Sequence, residues 1–219
     1  MRALAGRVTA CRACPRLVEH REAVARERKR EFREWEYWGK PVPGFGDVNA
    51  RLLLVGLAPA AHGANRTGRM FTGDASGDWL YEALHRFGFA NQPTATSRDD
   101  GLTLTDCYIT AAARCAPPGN KPTAQEFANC QPFLEEELRL LTRVRVVVTL
   151  GKLGHDAYAR ASRLSARAPF GHGIETRLPS GVMLLSSYHP SRQNTNTGRL
   201  TRAMWYGVFE KARRLIDHG

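Results

Sequence analysis

Residues 51–60, RLLLVGLAPA, decide how the rest of the chain is read. Leu52 to Val55 is a short unbroken apolar run, stopped by Gly56 and Pro59, and a run without alternation marks a strand covered on both faces. Working outward, Arg51 to Leu57, Thr103 to Ala112, Arg143 to Leu150 and Val182 to Tyr188 all carry that pattern. Helical patterns alternate with them. Asp78 to Phe87 is closed by Gly88, Thr123 with Glu126 three residues on forms a capping box, and Lys152 to Ser162 and Arg199 to Ile216 follow. Strand and helix alternation predicts an α/β fold, a three-layer α/β/α sandwich with a central four-stranded, mainly parallel sheet. The chain reads as one domain over residues 1–219 with a charged N-terminal helical arm at about residues 16–38. From Arg16 to Glu36 that arm holds seven basic and six acidic residues, with pairs such as Glu22 and Arg26 at i,i+4 spacing, and it reads as an exposed helix.

With 219 residues, 42% hydrophobic and 24% charged, the chain has the composition of a soluble globular protein. Its 32 Lys and Arg outweigh 21 Asp and Glu, a formal net charge of +11 that favours a polyanion, nucleic acid first. Arg dominates the basic residues, which suits bidentate phosphate contacts and equally fits a GC-rich coding bias. The longest apolar stretch, Leu52 to Ala61, is about half of the ~20 residues that cross a bilayer, so no membrane partner is expected. The first residues lack the apolar core of a secretory signal, and the five cysteines are expected as thiols.

In an open parallel sheet, ligands bind beyond the carboxyl ends of the strands, and the unusual segments of this chain start there. GLAPAAHGANRTGRMFTGDASG follows the first strand, AAARCAPPGN the second, GK the third and HPSRQNTNTGRLT the fourth. The first loop carries five glycines, and within MFTGD an aromatic Phe71 stands beside the Asp74 carboxylate, a pairing that can hold a flat base next to a cationic sugar. Phe71 as a core residue and Asp74 as a helix cap are the plainer roles. His189 sits at a strand end before Pro190 and Ser191, placed either to hydrogen-bond structurally or to donate to a developing oxyanion. Asn194, Thr197, Gly198 and Arg199 beside it suit a phosphate backbone. Cys11 and Cys14 are two residues apart and Cys115 and Cys130 form a second, wider pair. Four cysteines are the ligand count of zinc or of an iron-sulfur cluster, and spacing alone leaves both open. Cys107 falls inside a strand and reads as core.

GLAPAAHGANRTGRMFTGDASG, YITAAARCAPPGNKPT and HPSRQNTNTGRLT, in that order and joined to the four cysteines, closely resemble the family 5 (type B) uracil-DNA glycosylases over Cys11 to about Thr201. The resemblance implies a [4Fe-4S] cluster held by Cys11, Cys14, Cys115 and Cys130. It also implies a monofunctional enzyme of base excision repair that flips a deaminated base from DNA and hydrolyses its N-glycosidic bond to an abasic site. By resemblance Phe71 stacks the base, His189 stabilises the departing anion, and Ala58, Asn65, Ala111, Asn120, Ser191, Asn194 and Arg199 border base and DNA.

Two departures from better-known relatives matter. Leu57 stands where many relatives carry a water-activating acid or amide, so Asp74 becomes the expected catalytic carboxylate, with Asp78 and Asn65 in reserve. Ala111 and Ala112 stand where uracil-selective relatives read the base edge with Asn. A site without such a hydrogen-bonding reader forgoes discrimination that reaches ~10⁴, so hypoxanthine is expected beside uracil as a substrate base. A monomer in a prokaryotic cytoplasm, associated with the nucleoid through DNA, is the matching expectation. A non-catalytic iron-sulfur nucleic-acid-binding protein is the alternative from another class, and a phosphate-binding hydrolase lacks an acidic cluster for Mg²⁺.

Overall fold

The computed structural model describes residues 1–164 and 168–218. All four apolar runs become strands of one sheet: β2 (Leu52–Gly56), β3 (Cys107–Ala111), β4 (Val146–Leu150) and β6 (Met183–Ser187). They are mutually parallel in the order β3-β2-β4-β6, with Leu52 opposite both Cys107 and Val146, and Val146 opposite Met183. Their side chains are buried almost throughout, as a sheet covered on both faces requires.

Among the described residues the sheet has six strands, not the four expected. β1 (Phe45–Gly46) pairs antiparallel outside β3, and β5 (Ile174–Arg177) pairs antiparallel outside β6. β1 is too short to leave a sequence pattern, and β5 alternates exposed and half-buried positions, which sets it apart from the continuous apolar runs. The second apolar run is also trimmed: only Cys107–Ala111 of it joins the sheet, and Leu104 forms a lone bridge with Ala90.

Helices α4 (Ala75–Arg86) and α8 (Arg202–His218) bury Leu80, Tyr81, Trp205 and Phe209 against the face carrying Leu52 and Leu54. On the other face Leu134 of α5 (Ala124–Leu140) and Ala157 and Tyr158 of α6 (Lys152–Ala161) meet Leu53, Val55 and Val147. The capping box at the start of α5 forms as read, Thr123 Oγ1 accepting from Glu126 N–H and Glu126 Oε2 from Thr123 N–H at 2.7 Å.

The N-terminal segment departs most from its reading. It contains two helices, α1 (Arg2–Ala10) and α2 (Pro15–Glu27), and α2 stops short of the expected end at Arg28, whose φ is +53°. Leu17, Val18 and Arg21 face inward, so the helix is not solvated all round. Glu22 pairs with Arg12 at 2.6 Å and not in the expected helical pair with Arg26. Two short helices complete the chain, α3 (Ala64–Thr67) after β2 and α7 (Arg192–Asn196) after β6.

Candidate active site

The loop from β2 to α4 is folded by its glycines around two side chains. Phe71 adopts φ +54°, uncommon for a residue with a Cβ, and its ring lies over the end of β2, where a Cβ on Gly56 would come within 2.8 Å of the ring. Any other residue at 56 would evict the ring. Gly77 is demanded in the same way, because the Phe71 carbonyl occupies the space a Cβ would take in the first turn of α4. In the parallel register Gly56 stands opposite Ala111, and both belong to the sheet face on which Phe71 packs, whereas Ala112 belongs to the other face. Of the two alanines only Ala111 borders the ring's side.

Asp74 is the N-cap of α4, its Oδ1 accepting from Ser76 and Gly77 N–H at 3.0 Å each. The plainer role as a cap is therefore filled by one oxygen. Oδ2 lies against Gly63, where a Cβ would collide with it. Burial raises the Asp74 pKa, opposed by the two backbone N–H groups and the charge of Arg66. Asp78, on the outer side of the first turn of α4, is exposed and adds a repelling charge.

His189 follows β6 and stacks on Phe71, ring centroids 5.9 Å apart and planes 28° from parallel. Burial pushes its pKa down to about 4, so the imidazole is neutral near pH 7 and has an N–H to give. Asn194 Nδ2 donates to the His189 carbonyl at 2.8 Å, and Ser191 caps α7 by accepting from Asn194 N–H. Ser191 and Asn194 thus shape the turn that presents His189. Arg199 is exposed and lies over the Tyr188 ring at 4.7 Å. Asn120 is exposed too, at φ +58° in the turn after Pro117, and Ala58 is half-buried just past β2.

Asn65 is 1% exposed and its amide donates to the Arg21 carbonyl at 3.2 Å, fixing α3 to α2. Its neighbour Arg66, which the sequence reading passed over, is the more informative residue. Its guanidinium is sandwiched by Phe32 at 3.9 Å and Trp35 at 4.1 Å, and it donates to the carbonyls of His62 and Gly73. Tyr37 Oη meets His62 Nδ1 at 3.0 Å. Part of the arm expected in solvent therefore covers the site loop, and the aromatics Phe32, Trp35 and Tyr37 amid its charges were the overlooked signal.

Cys11, Cys14, Cys115 and Cys130 line one pocket together with Leu17, Val18, Pro41, Phe133 and Arg114. Burial pushes the Cys115 thiol up to about 12 and raises Cys130 as well, while all four sulfurs lie close enough to act on one another's charge. Asn129 Nδ2 donates to Cys14 Sγ at 3.3 Å and the Arg114 backbone N–H to Cys130. Among the described residues no group of three or more His, Cys, Asp or Glu could hold a metal ion. Four cysteines around one apolar pocket, two of them accepting an N–H, have the ligand count that an iron-sulfur group takes. Cys107 is buried in β3 as read.

A family model for the uracil DNA glycosylase superfamily matches residues 43–213. The type-5 uracil-DNA glycosylase of Mycobacterium leprae is 54% identical over 215 residues, 97% of this chain and 94% of that protein. Its namesake from Thermus thermophilus is 56% identical over 209 residues, 95% of this chain and 94% of that protein. A type-4 uracil-DNA glycosylase of Thermotoga maritima is 26% identical over 217 residues, 99% and 94% of the two chains.

Proposed function

The chain belongs to the uracil DNA glycosylase superfamily, and on that premise we propose that it is a uracil-DNA glycosylase that releases uracil, and hypoxanthine beside it, from DNA. The observation that carries the reading is the stack of Phe71 on Gly56 and against a neutral His189, with Asp74 three residues further along the same loop.

A base turned out of the helix stacks on the Phe71 face. The bond between the sugar C1′ and the base nitrogen breaks with its electron pair leaving on the base, so positive charge develops on the sugar and negative charge on a base oxygen. His189, neutral, donates a hydrogen bond to that oxygen. Asp74, ionised, faces the cationic sugar and orients the water whose oxygen attacks C1′; the carboxylate takes the water's proton, which passes on to the departed base anion, leaving an abasic sugar and the free neutral base. Arg66 supports this role because its charge favours the carboxylate that burial opposes. The methyl of Ala111 on the Phe71 side offers shape and no hydrogen bond, which supports acceptance of more than one deaminated base. Cys11, Cys14, Cys115 and Cys130 would hold a [4Fe-4S] cluster, which when bound cross-links the N-terminal helices to the loop after β3 and to α5.

The test is release of free base from a labelled duplex series holding uracil, hypoxanthine or no lesion, with wild type and Asp74→Ala side by side. Release from both lesions that collapses in the variant is expected. Release from uracil alone removes the broader base range, release untouched by the variant moves the catalytic burden to His189, and no release from any duplex overturns the glycosylase reading.

A further inference from the structure

Arg66 is 3% exposed, and its guanidinium meets two carbonyls and no carboxylate: Nε donates to His62 at 2.8 Å, Nη2 to Gly73 at 3.0 Å, and Nη1 is buried without a partner. A buried cation left without an ion pair is costly, and native proteins keep few such groups without a use. What replaces its water is a corner of two rings from the N-terminal arm. The guanidinium carbon lies 3.9 Å from the Phe32 centroid and 4.1 Å from the Trp35 centroid, and the two rings meet edge to face at 80°. Contact with ring faces favours a guanidinium that has lost its water.

The two carbonyls it joins belong to the two sides of one slot. His62 precedes Gly63, against which Asp74 Oδ2 lies, and Gly73 precedes Asp74 itself. Gly73 is held at its other end too, its N–H donating to the Ala95 carbonyl at 2.9 Å with φ at +77°. A Cβ on Gly73 would collide with Arg66 Nη2, so the approach needs glycine there. The arm grips the first side of the slot again through Tyr37, whose hydroxyl meets His62 Nδ1 at 3.0 Å and accepts from Lys29 N–H at 3.3 Å. Asp74 Oδ1 is spent on the cap of α4, which leaves Oδ2, the oxygen in the slot, for chemistry.

Resting on the glycosylase reading above, we propose that Arg66 is a positioning residue for base release and that Phe32 and Trp35 are the clamp that holds it in place. By joining the carbonyls of His62 and Gly73 it sets the width of the slot and the direction in which Asp74 Oδ2 faces the sugar. The arm thus acts on the reaction through one guanidinium. The charges acting on Asp74 are those of Arg66 on α3, which favours the carboxylate, and of Asp78 on α4, which opposes it; the Tyr81 hydroxyl of α4 and the His189 ring after β6 are uncharged near pH 7. Arg66 therefore supplies both geometry and charge, and the two can be separated.

The test compares purified wild type with Arg66→Met, Arg66→Lys, Trp35→Ala and the double variant Trp35→Ala with Arg66→Met. Single-turnover uracil release at saturating protein is read across pH, with duplex affinity and melting temperature alongside. Arg66→Met is expected to slow release about 10²-fold at unchanged duplex affinity, the scale of a catalytic group misplaced by about 1 Å. With the cation gone Asp74 ionises at higher pH, so the acid limb of the rate profile should move to higher pH in Arg66→Met. Lys keeps the charge and loses the planar fork, so Arg66→Lys should recover the limb and not the rate. Trp35 is 36% exposed, so Trp35→Ala should keep its fold and slow release about tenfold, with no further loss when added to Arg66→Met. Losses that multiply in the double variant overturn the clamp, and a rate within about twofold of wild type in either Arg66 variant overturns the positioning role. An acid limb unmoved in Arg66→Met overturns the action of its charge on Asp74. If Arg66→Met fails to fold, Arg66→Lys and Trp35→Ala decide, and either at the wild-type rate overturns the proposal. A wild type that releases no uracil overturns the glycosylase reading with it, whereas release that every variant matches overturns this proposal alone.

Discussion

The two loops that meet over the sheet are built by opposite means. The loop after β2 is locked by buried bonds: Asn65, Arg66, Thr67, Arg69 and Thr72 are all buried, and Arg69 holds Asp100 at 2.7 Å while also donating to Thr72. The segment after β6 has no buried residue in α7, and its bonds are local, Thr195 Oγ1 to the Ser191 carbonyl and Thr197 Oγ1 to the Gln193 carbonyl. A site that must present an aromatic face and a carboxylate in fixed relation gains by being ordered before substrate arrives, since misplacement there costs rate. A segment proposed to follow a phosphate backbone gains from fitting itself to the strand, and the local bonds of α7 leave that helix free to do so. The locked loop should therefore govern the rate and the open segment the grip.

The sharpest way to break this division is Asp74→Asn. Asn is as good an N-cap as Asp, so the cap bonds to Ser76 and Gly77 survive while the charge is lost. Single-turnover uracil release should fall about 10³-fold, the scale of removing one preorganised charge-stabilising group, with the melting temperature hardly changed. Because burial raises the Asp74 pKa and the proposed role needs the ionised form, wild-type activity should decline on acidification at a pH above the ordinary aspartate value of 3.8. A variant that loses as much stability as rate would make Asp74 a structural cap.

Next in size is Arg69→Met, which touches no substrate and leaves Asp100 buried without its cation. Breaking a buried pair on one side costs about 3–5 kcal/mol, and the lower end is expected here because Thr96, Ser97 and Leu102 N–H still bond the carboxylate. Asp100 is held at about 2, as Arg69 and three backbone N–H groups outweigh the upward push of burial. Its folded value lies below the unfolded one, so its stabilisation is full above the ordinary value of 3.8 and disappears as pH falls through about 2. Urea unfolding at pH 7 and pH 3 should find the difference between wild type and variant smaller at the lower pH. A loss under about 1 kcal/mol at pH 7, the scale of an exposed pair, would show that the loop is not locked by this pair.

His189 joins the two regions, and its titration sharpens the contrast. Burial lowers its pKa from 6.5 to about 4, so the folded protein resists the proton that the unfolded chain accepts. Its stabilisation is complete above pH 6.5 and is lost as pH falls from 6.5 toward 4. His189→Gln should flatten melting temperature across that window while reducing base release by about 10²-fold through the lost donor. An equal slope in both proteins would place the acid sensitivity elsewhere.

How much of this was legible follows from what leaves a pattern. The four central strands are continuous apolar runs, the capping box of Thr123 and Glu126 is local, and Phe71 and His189 fall in loops after β2 and β6 that topology brings together. The edge strands were not legible, because β5 is half-exposed and β1 two residues long. The bond of Asn65 was hidden for a different reason: its partner, the Arg21 carbonyl, is 44 positions away and leaves no local pattern. The arm misled through its balanced charge, which hid that Phe32 and Trp35 clasp Arg66.

The smallest effect is expected from the open segment, with Arg199→Ala. Arg199 is exposed and rests on Tyr188, so the fold loses little. If it contacts a phosphate, duplex binding should weaken by about 1 kcal/mol alike for uracil-containing and undamaged DNA, and the slope of log affinity against log salt should fall by about 1. The single-turnover rate at saturating protein should stay as in wild type, because Arg199 lies outside the Phe71, Asp74 and His189 group. A lower rate at full binding would mean that ordering of this segment is transmitted to His189 through Asn194, whose amide holds the His189 carbonyl at 2.8 Å. The two loops would then act as one device, and the division between rate and grip would fail at the residue that joins them.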